Sequence, residues 1–164
     1  MSSGARATRL IIDASVAGSA GETKHPVSSL CRSFLGCMLV STCHLVMSDD
    51  ISGEWNRHQS RYARQWRKAM TARRRVVLLR DVRLVSLRSL MVTAKMLKDV
   101  HLLEAALATD KRIVSNDNEA RNAYRRIAHV RLVLWINPSR EDETAIEWLN
   151  AGAKLQRNRQ LGRL

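Results

Sequence analysis

Four acidic side chains, Asp13, Glu54, Asp99 and Asp117, fall where carboxylates can be gathered for chemistry. Acids are scarce in this chain, 15 Asp and Glu against 28 Lys and Arg, so their placement at strand ends and helix starts stands out. Carboxylates held close together repel and raise one another's pKa unless a cation neutralises them. Oxygen donors with few nitrogens or thiolates nearby suit Mg2+ or Mn2+. Such an ion lowers the pKa of a bound water and stabilises both oxygens of an in-line phosphoryl displacement. In a strongly basic chain, that donor set points to a metal-dependent nuclease. Each acid also has a simpler reading. Asp99 and Asp117 suit helix caps or partners for a helix dipole, and Glu54 suits a surface position. Asp13 follows three apolar residues directly and is the hardest to place on the surface.

Strands alternating with helices must carry these acids. Arg9-Leu10-Ile11-Ile12 reads as a buried strand closing on Asp13, followed by a loop over 18–26 and a helix from Pro26, in a helix-starting position, to about Val40. His44–Met47 is a second strand. Ser48, Asp49 or Asp50 can cap the helix after it, which is expected to run to about Arg73 with Glu54 in its first turn. Val76–Leu79 is a short strand or extended link, and 84–97 is helical. A helix from about Lys98 to Thr109 would start close to Asp99. Arg112–Ser115 is then a strand, and Asn116-Asp117-Asn118 turns into a helix reaching about Ala128. Val130–Trp135 reads as the last strand, and Pro138 and Ser139 open a helix containing 141–150.

This alternation predicts an α/β fold, a three-layer α/β/α sandwich around a central parallel sheet. In such sheets ligands bind beyond the carboxyl ends of the strands, where Asp13 and Asp117 fall. Residues 1–8 are expected to be a flexible N-terminus and 9–150 the folded domain. The last segment, 151–164, is expected to be a mobile basic tail carrying Lys154, Arg157, Arg159 and Arg163.

Three blocks of sequence agree in order, spacing and element type with one known family. They are Leu10-Ile11-Ile12-Asp13-Ala14-Ser15-Val16, then Met47-Ser48-Asp49-Asp50-Ile51-Ser52-Gly53-Glu54-Trp55. The third is Lys98-Asp99-Val100-His101-Leu102-Leu103-Glu104-Ala105-Ala106, leading into Arg112-Ile113-Val114-Ser115-Asn116-Asp117. Over roughly residues 9–137 the chain resembles the PIN-domain family of metal-dependent ribonucleases. The resemblance implies single-strand-preferring RNA cleavage with magnesium or manganese. By it, Asp13, Glu54, Asp99 and Asp117 would be the metal-holding and catalytic set, and Ser15 a hydroxyl that assists at the substrate. Asp49 and Asp50 are near enough in sequence to stand in for Glu54. The resemblance also implies a homodimer and, because many members are toxins of toxin–antitoxin pairs, an antitoxin protein as partner.

Arg57, Arg61, Arg64 and Lys68 recur at spacings that put them in one helical stripe, a track for an RNA backbone. Trp55, Tyr62, Trp66, Ala69 and Met70 fall on the opposite side, towards the core. An ordinary solvated face is the competing reading of the stripe. His58 and His101 are placed to contact substrate or simply to pack. Cys31, Cys37 and Cys43, six residues apart each time, match no zinc pattern and read as core thiols in a reducing, cytoplasmic setting.

A formal charge of +13 favours polyanionic partners, RNA first among them. A length of 164 residues suits one domain. No apolar run approaches the ~18 residues of a membrane span, so no membrane association is expected. Asp13-Ala14-Ser15 lacks the second aspartate of a phosphoaspartate phosphatase, and neither a phosphate-binding lysine loop nor a dinucleotide glycine fingerprint is present. The alternative to an enzyme is a catalytically weak RNA-binding or regulatory protein of the same fold.

Overall fold

Leu10, Ile11 and Ile12 are wholly excluded from solvent, and so are Leu45, Val46 and Met47. Continuous apolar runs of this kind belong to parallel strands covered on both faces. The computed structural model describes residues 4–164. Its strands are β1 (Arg9–Ile12), β2 (His44–Met47), β3 (Val76–Leu78), β4 (Arg112–Val114) and β5 (Leu134–Ile136). Its helices are α1 (Ala14–Ser19), α2 (Pro26–Val40), α3 (Asp49–His58), α4 (Arg61–Ala72), α5 (Val85–Arg88), α6 (Ala94–Leu107), α7 (Asn118–Tyr124) and α8 (Ala145–Asn150). The sheet is all-parallel in the order β3-β2-β1-β4-β5. The helix α2 packs on α1, α4 and α8, whereas α6 packs on α5 and α7. This is an α/β fold, compatible with three α/β/α layers. Among the described residues no helix is long and apolar enough to cross a membrane.

The strand order places the reversal of direction between β1 and β4. Chain progress runs outward from β1 through β2 to β3, then returns to the other side of β1. Crevices form at such a switch point, outside the carboxyl ends of the strands. Asp13 directly follows β1 and Asp117 is the third residue after β4. Both acids therefore flank the crevice. Backbone pairing continues to its lip, because the Asp13 amide donates to the Val114 carbonyl at 2.9 Å.

Indole and phenol groups lock the helices around this point. Trp55, fully buried in α3, donates from Nε1 to the Ile12 carbonyl at 2.8 Å, fixing α3 against the residue before Asp13. Trp66 of α4 donates to the Leu35 carbonyl at 2.6 Å and stacks on Trp55 at 6.0 Å between centroids. Tyr124 of α7 donates to the Met96 carbonyl of α6 at 2.6 Å. Burying groups as large as these contributes most of the apolar stabilisation per residue, and their polar tips are satisfied by backbone acceptors. A close approach of α1 to α3 needs Gly18, where a Cβ would meet the His58 carbonyl oxygen at 2.9 Å.

Several boundaries differ from the sequence expectation. The helix expected over 48–73 is two helices: Ser60 caps α4, its hydroxyl accepting from the Ala63 amide at 3.0 Å, and Gln59 is extended. Gly18 lies inside α1, not in a loop. The 84–97 segment holds a four-residue turn of helix, and α6 begins at Ala94, where Thr93 caps it, four residues before the expected Lys98. The stretch before β5 is a 3-10 turn at Ala128–Val130, so the last strand is Leu134–Ile136. The helix after Pro138 is a short 3-10 turn and then α8.

The C-terminal segment is not a loose tail. Leu161 and Ala153 are buried, Gln160 bridges to Leu134, and the Leu161 amide donates to the Val133 carbonyl at 2.9 Å. Apolar Leu161 outweighs the charge around it. Of the N-terminal eight residues, 1–3 lie outside the described residues. Arg6 pairs with Asp110 at 3.4 Å, and the Thr8 carbonyl accepts from the His44 amide at 2.8 Å.

Candidate metal centre

Asp13, Glu54, Asp99 and Asp117 line one cleft of about 390 Å3, together with Ser15, Gly18, Lys98, His58 and His101. Four different elements supply the acids. Asp13 stands at the turn from β1 into α1, Glu54 on α3, Asp99 on α6 and Asp117 at the start of α7. Asp49 and Asp50 line a neighbouring cavity with Asp81 and Arg83, so Glu54 is the acid of α3 that faces the cleft. Glu54 reaches it from the second turn of α3, not the first, and Asp99 likewise from the second turn of α6.

The acids are held in unlike ways. Asp13 precedes α1 but makes no side-chain cap bond to it. Its Oδ2 instead accepts from Ser15 Oγ at 2.7 Å and Ser115 Oγ at 2.8 Å. Both hydroxyls are themselves held: Ser15 Oγ accepts from the Asn116 amide at 3.1 Å, and Ser115 Oγ from the Asp117 amide at 3.0 Å. Ser15 is thus engaged as a brace of Asp13. Asp117 does cap α7, its Oδ1 accepting from the Ala120 amide at 2.8 Å, while Lys95 Nζ donates to Oδ2 at 2.6 Å. Glu54 pairs within its own helix, with Arg57 at 2.5 Å and His58 at 3.5 Å.

Asp99 is the exception. Its Oδ2 is buried with no hydrogen-bond partner, and Lys95 Nζ is 3.7 Å away. Burial pushes its pKa above the ordinary carboxylate value, and the Asp13 charge adds to the rise; Lys95 and Lys98 oppose it, and Asp117 adds a smaller push. Asp117 is also pushed up by burial, but its bonds to Lys95 and the α7 backbone outweigh that and bring it below the ordinary value. Lys95 in turn is raised, chiefly by its bond to Asp117.

The donor chemistry fits a hard divalent cation: carboxylate oxygens predominate, and one of them, Asp99 Oδ2, is buried without a hydrogen-bond partner. Among the described residues no group of three His, Cys, Asp or Glu closes to direct ligand spacing. A hydrated Mg2+ needs only one or two direct carboxylates, the others acting through water.

Sequence reasoning named all four acids and also Ser15, though for the substrate and not as a brace, but missed Lys95 and Ser115. Lys95 stands four residues before Asp99, a helical ion-pair spacing legible in the sequence. Ser115 has no such signal, since its role arises from β4 lying beside β1. Asn116 reaches Cys31 Sγ at 3.3 Å. Cys31 and Cys43 are buried free thiols and Cys37 is half-buried, the core placement expected. The basic stripe is divided: Arg57 lies in the last turn of α3, while Arg61, Arg64 and Lys68 lie on α4, all four exposed. Trp55, Trp66 and Met70 are buried opposite them, with Tyr62 and Ala69 half-buried. No family model, curated protein or solved structure matches the chain.

Proposed function

We propose that the protein is a metal-dependent endoribonuclease of the PIN kind, cleaving single-stranded RNA at the carboxylate cleft. What supports this reading is the convergence of four acids from four elements at the switch point of a parallel sheet, in a chain of charge +13. Bound Mg2+ or Mn2+ would supply a water of lowered pKa and charge neutralisation at the phosphate. Asp13, Asp99 and Asp117 are the residues to hold it, with Glu54 completing the set from α3. Ser15 and Ser115 keep the Asp13 carboxylate in one orientation through their two hydrogen bonds. Asp99 brings a buried oxygen to which no protein group donates a hydrogen bond. The exposed Arg57, Arg61, Arg64 and Lys68 offer phosphate contacts leading towards Glu54.

The test is cleavage of a labelled single-stranded RNA with Mg2+ or Mn2+. Asp13→Asn should lower the rate by about 10²–10³-fold, the loss seen when one preorganised charge-stabilising group is removed. Equal cutting by the variant would sink the reading.

A second reading has an observation of its own. Lys95 Nζ lies 2.6 Å from Asp117 and 3.7 Å from Asp99, so the cluster carries an internal cation. A catalytically weak RNA-binding protein would keep that pair in place. It predicts RNA binding in EDTA and no cleavage on adding metal. An antitoxin and a homodimer are proposed partners on the resemblance alone; sedimentation of the purified chain tests the dimer.

A further inference from the structure

The C-terminal segment builds a separate cavity, of about 430 Å3, lined by Arg131, Leu132, Arg157, Gln160, Gly162 and Arg163. It lies at the amino end of β5. Because all five strands run parallel, this end of the sheet is opposite the rim that carries the acids. Three of the six lining residues are arginines and none is acidic. Among the described residues the guanidinium groups of Arg131, Arg157 and Arg163 form no side-chain hydrogen bond or ion pair. Neighbouring Arg159 is different: it donates to the Glu143 carbonyl at 2.5 Å and to Thr144 at 3.0 Å, and so serves the fold.

The backbone that presents these arginines is firmly placed. The Gly162 amide donates to the Arg131 carbonyl at 2.9 Å, and a Cβ at Gly162 would meet Arg131 Cβ at 2.7 Å. Only glycine permits this approach of the C-terminal segment to the Arg131 backbone. Buried Leu161 pins the neighbouring position. Three like charges held around one concavity repel each other, and a phosphate-bearing ligand is the group that relieves the repulsion. Guanidinium forks match phosphate oxygens in geometry as well as charge.

We propose that this arginine-lined cavity binds backbone phosphates of single-stranded RNA, as a second contact remote from the carboxylate cleft. The contact requires no metal and no cleavage, so it stands or falls separately from the nuclease reading.

The experiment measures anisotropy of a labelled 20-nucleotide single-stranded RNA with the full chain in EDTA, over a range of salt. Arg131→Ala/Arg157→Ala/Arg163→Ala is compared with a charge-matched control, Lys24→Ala/Arg80→Ala/Lys154→Ala. The first triple variant should bind at least about tenfold more weakly near 0.1 M salt, and its log–log salt slope should fall by about 2, three contacts at ~0.7 each. The control should stay close to the parent in both. Gly162→Leu, which keeps every arginine but forces the segment away from Arg131, should also weaken binding. Equal losses in both triple variants would mean a general charge effect and overturn the proposal. So would unchanged binding by the arginine triple variant, or a mononucleotide bound as tightly as the oligomer.

Discussion

The two rims of the sheet solve opposite electrostatic problems. At the carboxyl rim, like-charged acids are gathered and partly neutralised from within: serine hydroxyls brace Asp13, Lys95 bridges Asp117 and Asp99, and one Asp99 oxygen stays unsatisfied. At the amino rim, three arginines are gathered with no internal counter-ion. The difference lies in burial. The acids sit in a cleft between helices, so each must find a partner or shift its pKa. The arginines stay in solvent and need no such support; what must be built there is the backbone that holds them.

Removing the apolar anchor of the amino rim should have the largest effect. Leu161→Ala is expected to cost about 2–3 kcal/mol, the low end for a buried leucine because the segment can partly relax. Urea unfolding measures this. Mn2+ affinity at the cleft, followed by calorimetry, should not change; a parallel loss would show that the two rims are not independent. Ser115→Ala comes next. It deletes hydrogen bonds to Asp13 and to the Asp117 amide. Supporting residues of this kind are worth about 10–100-fold in metal affinity, which the same calorimetry would detect. RNA anisotropy in EDTA should be unaffected.

The smallest effect has an unusual sign. The Asp99 carboxyl is raised in the folded state by burial, with Asp13 adding to it. The folded protein then holds that proton more tightly than the unfolded chain. Its stability contribution is greatest at acid pH and declines as pH rises from the ordinary carboxylate range through the raised value. Asp99→Asn should therefore increase Tm by a few degrees in metal-free protein near neutral pH and flatten this decline. Asp117, lowered overall, acts the other way: its contribution is present above the ordinary carboxylate range and is lost as pH falls through the folded value. Melting curves of the variant at several pH values would check both signs; a lower Tm at neutral pH would contradict the Asp99 account.

How legible each feature was depended on its range. The burial of β1 and β2 follows from three consecutive apolar residues in each, but α6 begins four residues before the position its sequence suggests. The Thr93 cap that starts α6 is a short polar signal among Leu90, Met91 and Val92, an apolar stretch that reads equally well as helix. The division of α3 from α4 was missed for a similar reason. Helical periodicity carries across Gln59, and it is long-range bonds from Ser60 that turn the chain there, its amide donating to the Ala17 carbonyl at 3.0 Å and its hydroxyl to the Ala20 carbonyl at 2.6 Å.

The sequence by itself determined the alternation of strands and helices, the identity of the four acids and the excess of positive charge. These depend on residue type and near-neighbour spacing. Only the tertiary structure decided that β4 lies beside β1, which brings Ser115 to Asp13 and opens the crevice between them. It also decided that Lys95 bridges two acids and that the arginines of the C-terminal segment close around Arg131. Those relations join residues far apart in the chain. Strand order and the burial of Leu161 bring them together, and no local pattern encodes either.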